Sequence, residues 1–168
     1  MIEIKKILVT TDLSAASHSA IKYAVWLAEK ENAAVTLFYC VDNLPTVAYH
    51  TVDLTFDKFR NEILQFEEQR LHEYVKNIRE SFPKTLNIVI TEGNAAQAIV
   101  QYAKVEKIDI IIMNTHGRTG IQHILLGSVA ERVVRTAECP VLTVKSVFNA
   151  KSLNNKNSKK RNLSPKKS

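Results

Sequence analysis

The chain predicts an α/β fold: a doubly wound, five-stranded parallel sheet with helices on both faces. Three observations carry this. Strand-like and helix-like stretches alternate as β-α-β-α-β-α-β-α-β, a spacing that calls for right-handed crossovers between parallel strands. The strand candidates, such as ILVT, AVTLFYCV and IIIM, are near-continuous apolar runs rather than alternating ones. Such runs fit strands buried on both faces. The segments between them repeat apolar residues at helical spacing.

The first strand spans 4–10. Thr11-Asp12-Leu13-Ser14 is turn and N-cap chemistry, since Asp and Ser oxygens accept from the open N–H groups that start a helix. The first helix covers about 15–31, with Ala20, Ile21, Ala24, Val25 and Ala28 on one face. Asn32 is suited to a left-handed stop. The second strand is about 34–41, followed by a loop over 42–54 that contains Pro45. A long helix over about 55–80 carries an apolar stripe of Phe56, Phe59, Ile63, Phe66, Leu71, Tyr74, Val75 and Ile78, read as core. Pro83 marks its end. The third strand is about 86–91, and Glu92-Gly93-Asn94 forms a turn with Asn94 as the cap of a helix over 95–106. That helix turns Ala95, Ala98, Ile99 and Tyr102 inward. The fourth strand is about 108–113. The fourth helix, about 128–137, turns Val129, Val133, Val134 and Ala137 inward. Cys139-Pro140 ends it, and the fifth strand is 141–145. From there the composition collapses into Lys, Asn and Ser. The expected division is a folded domain over 1–147 and a basic, disordered tail over 148–168.

The chain has 168 residues, 45% of them hydrophobic and 24% charged. These are ordinary values for one globular domain. No apolar run approaches the ~20 residues that span a bilayer. The N-terminus has no signal-peptide core, so a cytoplasmic location is expected. The net charge of +6 belongs to the tail: residues 151–168 hold seven Lys or Arg and no acid, leaving 16 basic against 17 acidic residues elsewhere. A nucleic-acid-binding body would carry its own basic face. The tail itself, with KKR and SPKK, supports at most weak, salt-sensitive contact with nucleic acid. Cys40 and Cys139 have no metal or redox spacing and read as small buried hydrophobes. No metal site is expected.

The chemistry concentrates in Ile108–Val129. An apolar strand feeds a Gly-containing loop and then a helix beginning at Gly127-Ser128. Bare N–H groups and the dipole at such a helix start favour an anion. Gly117, Gly127, Ser128 and the Val129 N–H can hold phosphate, and Asp12 at the facing strand end can accept from a ribose hydroxyl. The plainer alternative is that both glycines only shape the connection. Ligands of such sheets bind beyond the carboxyl ends of the strands, where strand order reverses. If the first and fourth strands are neighbours, the loops Thr10–Ser14 and Asn114–Ser128 meet there. The pattern alone leaves that order open.

MNTHGRTGIQHILLGSVAERVVRTAECPVLTVK resembles the C-terminal signature of the universal stress protein (UspA-like) family. KKILVTTDLSAASHSAIKYAVWLA resembles that family's first strand, loop and helix. The likeness spans about residues 3–145. The family motif is Gly, two residues, Gly, nine residues, then Gly and Ser or Thr. Gly117, the nine residues Arg118 to Leu126, and Gly127-Ser128 match it; Asn114 stands where the first Gly belongs.

The resemblance implies a strand order of 3-2-1-4-5 and a site for an adenine nucleotide: ATP, or else ADP or AMP, with Mg2+ held through the phosphates of ATP. It implies Asp12 and Asn114 beside the ribose, with Thr10, Thr11 and Met113 at the same strand ends. The backbone near Val41 would approach the adenine. Gly117, Arg118, Gly127, Ser128 and Val129 would surround the phosphates. It also implies a homodimer in which strand 141–145 pairs with its mate, which would cover an otherwise exposed apolar edge. The expected role is ligand-gated binding or signalling under stress rather than turnover.

Asn tolerates positive φ better than most residues, so the loop can keep its shape at Asn114. Its amide then either bonds the ligand or fills the site. The second outcome makes the chain an interaction module that binds no nucleotide. His116 and His123 read as loop residues without a catalytic partner, whereas the Arg118 guanidinium matches phosphate. A pyrophosphatase-type adenylating enzyme would need a Gly-rich loop after the first strand, where TTDLS has no glycine. A phospho-receiver would need an Asp where Ile90-Thr91-Glu92 stands. Slow ATP hydrolysis is left open.

Overall fold

The computed structural model describes residues 3–42, 54–78, 86–115 and 126–145. The strands are β1 (Lys6–Thr11), β2 (Ala34–Asp42), β3 (Leu86–Gly93), β4 (Ile110–Asn114) and β5 (Val141–Val144). The helices are α1 (His18–Glu31), entered through a 3-10 turn at Ala15–Ser17, α2 (Leu54–Ile78), α3 (Ala95–Val105) and α4 (Ser128–Thr136). The strands form one parallel sheet in the order β3-β2-β1-β4-β5, as expected. Gly117, Arg118, the two loop histidines, Pro83 and the tail lie outside the described residues.

Strand alternation divides the core in two. Ile7 and Val9 of β1, Val35, Leu37, Tyr39 and Val41 of β2, and Ile112 of β4 pack with α1 and α2. Leu8, Phe38, Ile111 and Met113 point the other way, toward α3 and α4. In β1 every residue from Ile7 to Thr11 is buried. Covering a parallel sheet on both faces leaves no room for a polar, outward row of side chains, and so the middles of the central strands, Ile7–Val9 and Ile110–Met113, are apolar.

The helices end as their residues allow. Asn32 closes α1 at φ 52°, in the left-handed region, and its N–H donates to the Ala28 carbonyl. Asn94 caps α3 by accepting from the Gln97 N–H at 3.1 Å. The carboxyl ends of β1 and the start of α1 depart from expectation. The Ser14 side chain makes no cap bond to the helix. Instead Asp12 Oδ1 accepts from the Ser14 N–H (3.0 Å) and the Ser14 hydroxyl (2.6 Å). Glu92 and Gly93 belong to the end of β3 rather than to a turn, and β4 starts two residues later than expected, after buried Ile108.

Two apolar stripes are narrower than their spacing suggested. In α2, Leu71, Tyr74, Val75 and Ile78 are buried, but Phe59 and Phe66 are 57% and 59% exposed. Among the described side chains of α2, the buried ones lie in its C-terminal turns, and Leu64 is partly buried against the same core. In α4 the buried residues are Ala130 and Val133, while Val129 and Val134 are 37% and 47% exposed. A helix of nine residues packed beside α3 and β5 buries one narrow line of side chains, Ala130 and Val133.

Candidate functional site

The site begins with the reversal of strand order at β1. Chain leaving β1 turns into α1 on one face, and chain leaving β4 turns into α4 on the other. The two connections therefore diverge and open a crevice above adjacent strand ends. The register Val9 with Ile112 sets Thr10 and Thr11 beside Met113 and Asn114 as the strands finish. On the far side of β1, Thr11 pairs with Tyr39, so β2 overhangs and Val41 stands two residues beyond.

The β1 side of the crevice is a tight turn. Leu13 has φ 64°, a left-handed conformation for a residue with a large side chain. Such a conformation costs on the order of 1 kcal/mol and persists where its surroundings hold it. Here Thr11 Oγ1 accepts from the Leu13 N–H at 3.0 Å, and Asp12 Oδ1 accepts from Ser14. Thr11 Oγ1 lies 2.9 Å from Ser17 Oγ, which lies 2.9 Å from the Tyr74 hydroxyl of α2. The Thr11 hydroxyl is thus spent on the turn and supports Asp12 from beneath. Burial pushes the Tyr74 phenol up from its ordinary value, so it stays protonated. The His18 ring lies 5.2 Å from the Tyr74 ring, and burial followed by the nearby Lys22 charge lowers its pKa.

The β4 side is closed by two backbone bonds. The Thr115 N–H donates to the Val144 carbonyl of β5 at 2.9 Å. The Gly127 N–H donates back to the Thr115 carbonyl at 2.7 Å, joining the two ends of the glycine-bearing loop. Gly127 then caps α4 with no side-chain hydrogen bond, and the first helical bond is from the Glu131 N–H to the Gly127 carbonyl. The N–H groups of Ser128, Val129 and Ala130 therefore have no intrahelical acceptor. Ser128 and Val129 are exposed at this opening.

Neither glycine position of the motif that falls in the described residues demands glycine's backbone freedom. Gly127 has φ −67° and ψ 155°, open to any residue. Asn114 is the last residue of β4, registered with Val144, and is not among the residues of positive φ. What glycine offers at both places is room.

Of the expected residues, Thr10, Thr11 and Asp12 meet Met113 and Asn114 at one crevice, with Gly127, Ser128 and Val129 attached through Thr115 and Val41 on the overhanging strand. Ser17, Tyr74 and Thr115 were not foreseen. Tyr74 is 57 residues from Ser17, and helical spacing marks it only as core. Thr115 lay inside the stretch singled out, but a backbone bond leaves no trace in residue type.

The universal stress protein family profile matches residues 3–145, a span that contains every described residue. The chain belongs to the universal stress protein family. A universal stress protein of Methanocaldococcus jannaschii is 40% identical over 141 residues, covering 84% of this chain and 82% of that one. The solved structure of a second such protein from that archaeon superposes with a TM-score of 0.72 at 29% identity, covering 88% of this chain and all of its own. Two more distant structures share the fold at TM-scores of 0.62 and 0.58 and 21% and 18% identity. The first is a universal stress protein in complex with cAMP, the second one from Archaeoglobus fulgidus in complex with dAMP. Among the described residues no helix is long and apolar enough to cross a membrane.

The cysteines are half-buried rather than buried. Cys40 lies next to Val41, and its thiol donates to the Gly93 carbonyl at 3.5 Å. Burial, then the charges of Asp42 and Glu92, push it from 9.0 up to about 11. Only the thiolate reacts, so alkylation of Cys40 at pH 8 should run roughly 100-fold slower than for a free thiol and climb about tenfold per pH unit until near that value. Mass-spectrometric labelling rates against pH check this; a plateau below pH 9 would contradict it.

Proposed function

We propose that this universal stress protein binds an adenine nucleotide in the crevice between the β1 and β4 ends and acts in stress response by ligand-dependent association rather than by turnover. The observation that carries the reading is the start of α4, which has no side-chain cap at Gly127 and follows β4 at the same end of the sheet as the Asp12 turn that follows β1. N–H groups at a helix N-terminus that have no acceptor within the helix attract an anion, and Gly127 adds no side chain there. Asp12, held by Ser14, sits at the facing end, where a ribose hydroxyl can donate to its carboxylate. In this reading Asn114, Thr10, Thr11 and Met113, at the ends of β4 and β1, would lie beneath the ligand, the Val41 backbone would meet the base, and the motif residues Gly117 and Arg118, outside the described residues, would contact the phosphates. The adenylates bound by the two distant fold neighbours support the same ligand class. ATP brings Mg2+ through its phosphates, and ADP or AMP needs fewer of the loop contacts.

Calorimetric titration with ATP, ADP and AMP, with and without magnesium, should give a one-to-one complex. Absence of heat at millimolar nucleotide would reject the reading. Gly127→Val puts a branched side chain where phosphate should lie without straining the backbone, whose dihedrals suit valine. It should weaken binding at least tenfold, about 1.4 kcal/mol, while leaving the unfolding midpoint near that of the parent.

Asn114 favours a second reading, an interaction module without nucleotide. It ends β4 at the position where the family motif has glycine, so it adds a side chain where that motif has only hydrogen. Titration of Asn114→Gly separates the two: nucleotide affinity confined to the variant identifies the natural chain as a nucleotide-free module.

The same proposal includes a cytoplasmic homodimer built on β5. That strand is the sheet edge, four residues long, with Leu142 39% exposed. A two-fold mate paired there would cover Leu142 and satisfy the open edge. Sedimentation equilibrium should show a dimer that Leu142→Glu converts to monomer; a monomeric parent chain would remove this part.

A further inference from the structure

A chain of hydroxyls joins α2 to the nucleotide crevice, and the proton on each can be assigned. Ser17 Oγ makes three contacts: Ser14 carbonyl at 2.7 Å, Thr11 Oγ1 at 2.9 Å and Tyr74 Oη at 2.9 Å. It owns one proton. The Ser14 carbonyl can only accept, so that proton goes there. Thr11 and Tyr74 must then both donate to Ser17, whose two lone pairs are filled. Having given its proton to Ser17, Thr11 Oγ1 is left to accept, and the Leu13 N–H donates to it at 3.0 Å. Each of the three hydroxyl protons is thereby assigned to one acceptor.

The placement matters as much as the count. Ser17, Thr11 and Tyr74 are all buried. Tyr74 belongs to α2, whereas its partners belong to the turn that carries Asp12. Between β1 and α1, Leu13 is held at φ 64° by a bond to the same Thr11 oxygen. Apolar packing of Leu71, Val75 and Ile78 holds α2 against the sheet but tolerates small slides. Hydrogen bonds do not, because their strength falls steeply with distance and angle. A second tie of this kind lies two turns earlier on α2, where the Tyr39 hydroxyl of β2 donates to Glu67 Oε2 at 2.5 Å and Arg70 braces the same carboxylate. The helix is therefore fixed in register by polar contacts, one of which ends at the Asp12 turn.

We propose that Tyr74 is a positioning residue for the nucleotide site: through Ser17 and Thr11 its hydroxyl holds the Leu13 turn in the shape that aims Asp12 at the ligand. The seating of α2 is thereby transmitted to the site, so that a partner engaging or displacing α2 changes affinity for the nucleotide, and nucleotide changes the seating of α2 by the same factor. This rests on the nucleotide reading above.

Tyr74→Phe tests it, since the ring and its packing against His18 remain and only the hydroxyl is lost. Two measurements on the full chain keep the possibilities apart. In the ligand-free protein, hydrogen exchange of the Leu13 and Ser14 amides should speed up about fivefold, the order expected for loss of one hydrogen bond, while exchange in β4 stays unchanged. In calorimetry the affinity for ATP should fall by a similar factor. Thr11→Val should reproduce both effects and Thr11→Ser, which restores the hydroxyl, should reverse them. Unchanged exchange at Leu13 and Ser14 in Tyr74→Phe overturns the proposal. So does faster exchange with unaltered affinity in a parent chain that binds. Faster exchange in a parent chain that binds no nucleotide overturns the positioning role together with the nucleotide reading, and shows the failure to lie in the ligand rather than in the hydroxyl chain.

Discussion

Everything in this molecule depends on burying β1 on all four sides. Its edges are paired by β2 and β4, and its faces are covered by helices from both layers. No polar side chain on its middle residues would find a partner there, which is why Ile7, Leu8 and Val9 are fully enclosed. A strand so placed cannot be followed by its sequence neighbours on both sides. Chain direction across the sheet must reverse beside it, and the connections from β1 and β4 must part toward opposite faces. The crevice is a geometric by-product of that burial. Polar chemistry gathers at its mouth because that is the first place where the central strands meet solvent.

Much of the fold was legible because burial writes itself into residue order. Continuous apolar runs marked β1, β2 and β4, and the 3–4 spacing of Ala20, Ile21, Ala24, Val25 and Ala28 gave the buried face of α1 residue for residue. Asn32 and Asn94 announced a helix end and a helix start through side-chain chemistry that acts locally. Strand order did not follow from these patterns and came with the family likeness. Where spacing misled, at Phe59, Phe66, Val129 and Val134, the cause is geometric: periodicity tells which residues share a helix face but not how much of that face the neighbouring sheet can reach.

The site was legible in a different way. Its strand ends and helix start were visible in the stretch from Ile108 to Val129 and in Asp12. Its supports were not. Asp109 Oδ2 accepts from the Lys5 and Lys6 N–H groups at 2.8 Å each, across more than a hundred residues, and closes the opposite end of the β1–β4 pair. Tyr39 reaches Glu67 across 28 residues, and Ser17 reaches Tyr74 across 57. Spacing along a chain carries no record of such partners. The motif's departure at Asn114 also changes meaning once its backbone is known. The position lies in a strand, so the substitution is a matter of occupied space and not of backbone strain.

The bond from the Gly127 N–H to the Thr115 carbonyl has a consequence for how this architecture can vary. It fastens the exit of the loop to its entrance, and the Thr115 N–H fastens both to β5. Sheet and α4 are thus insulated from whatever lies between residues 115 and 127. Closing a loop between fixed ends grows costly only slowly with length, by about 0.6 kcal/mol per doubling. A change in the number of residues between Thr115 and Gly127 should therefore cost the fold little, because the same two bonds still tie the start of α4 to the ends of β4 and β5.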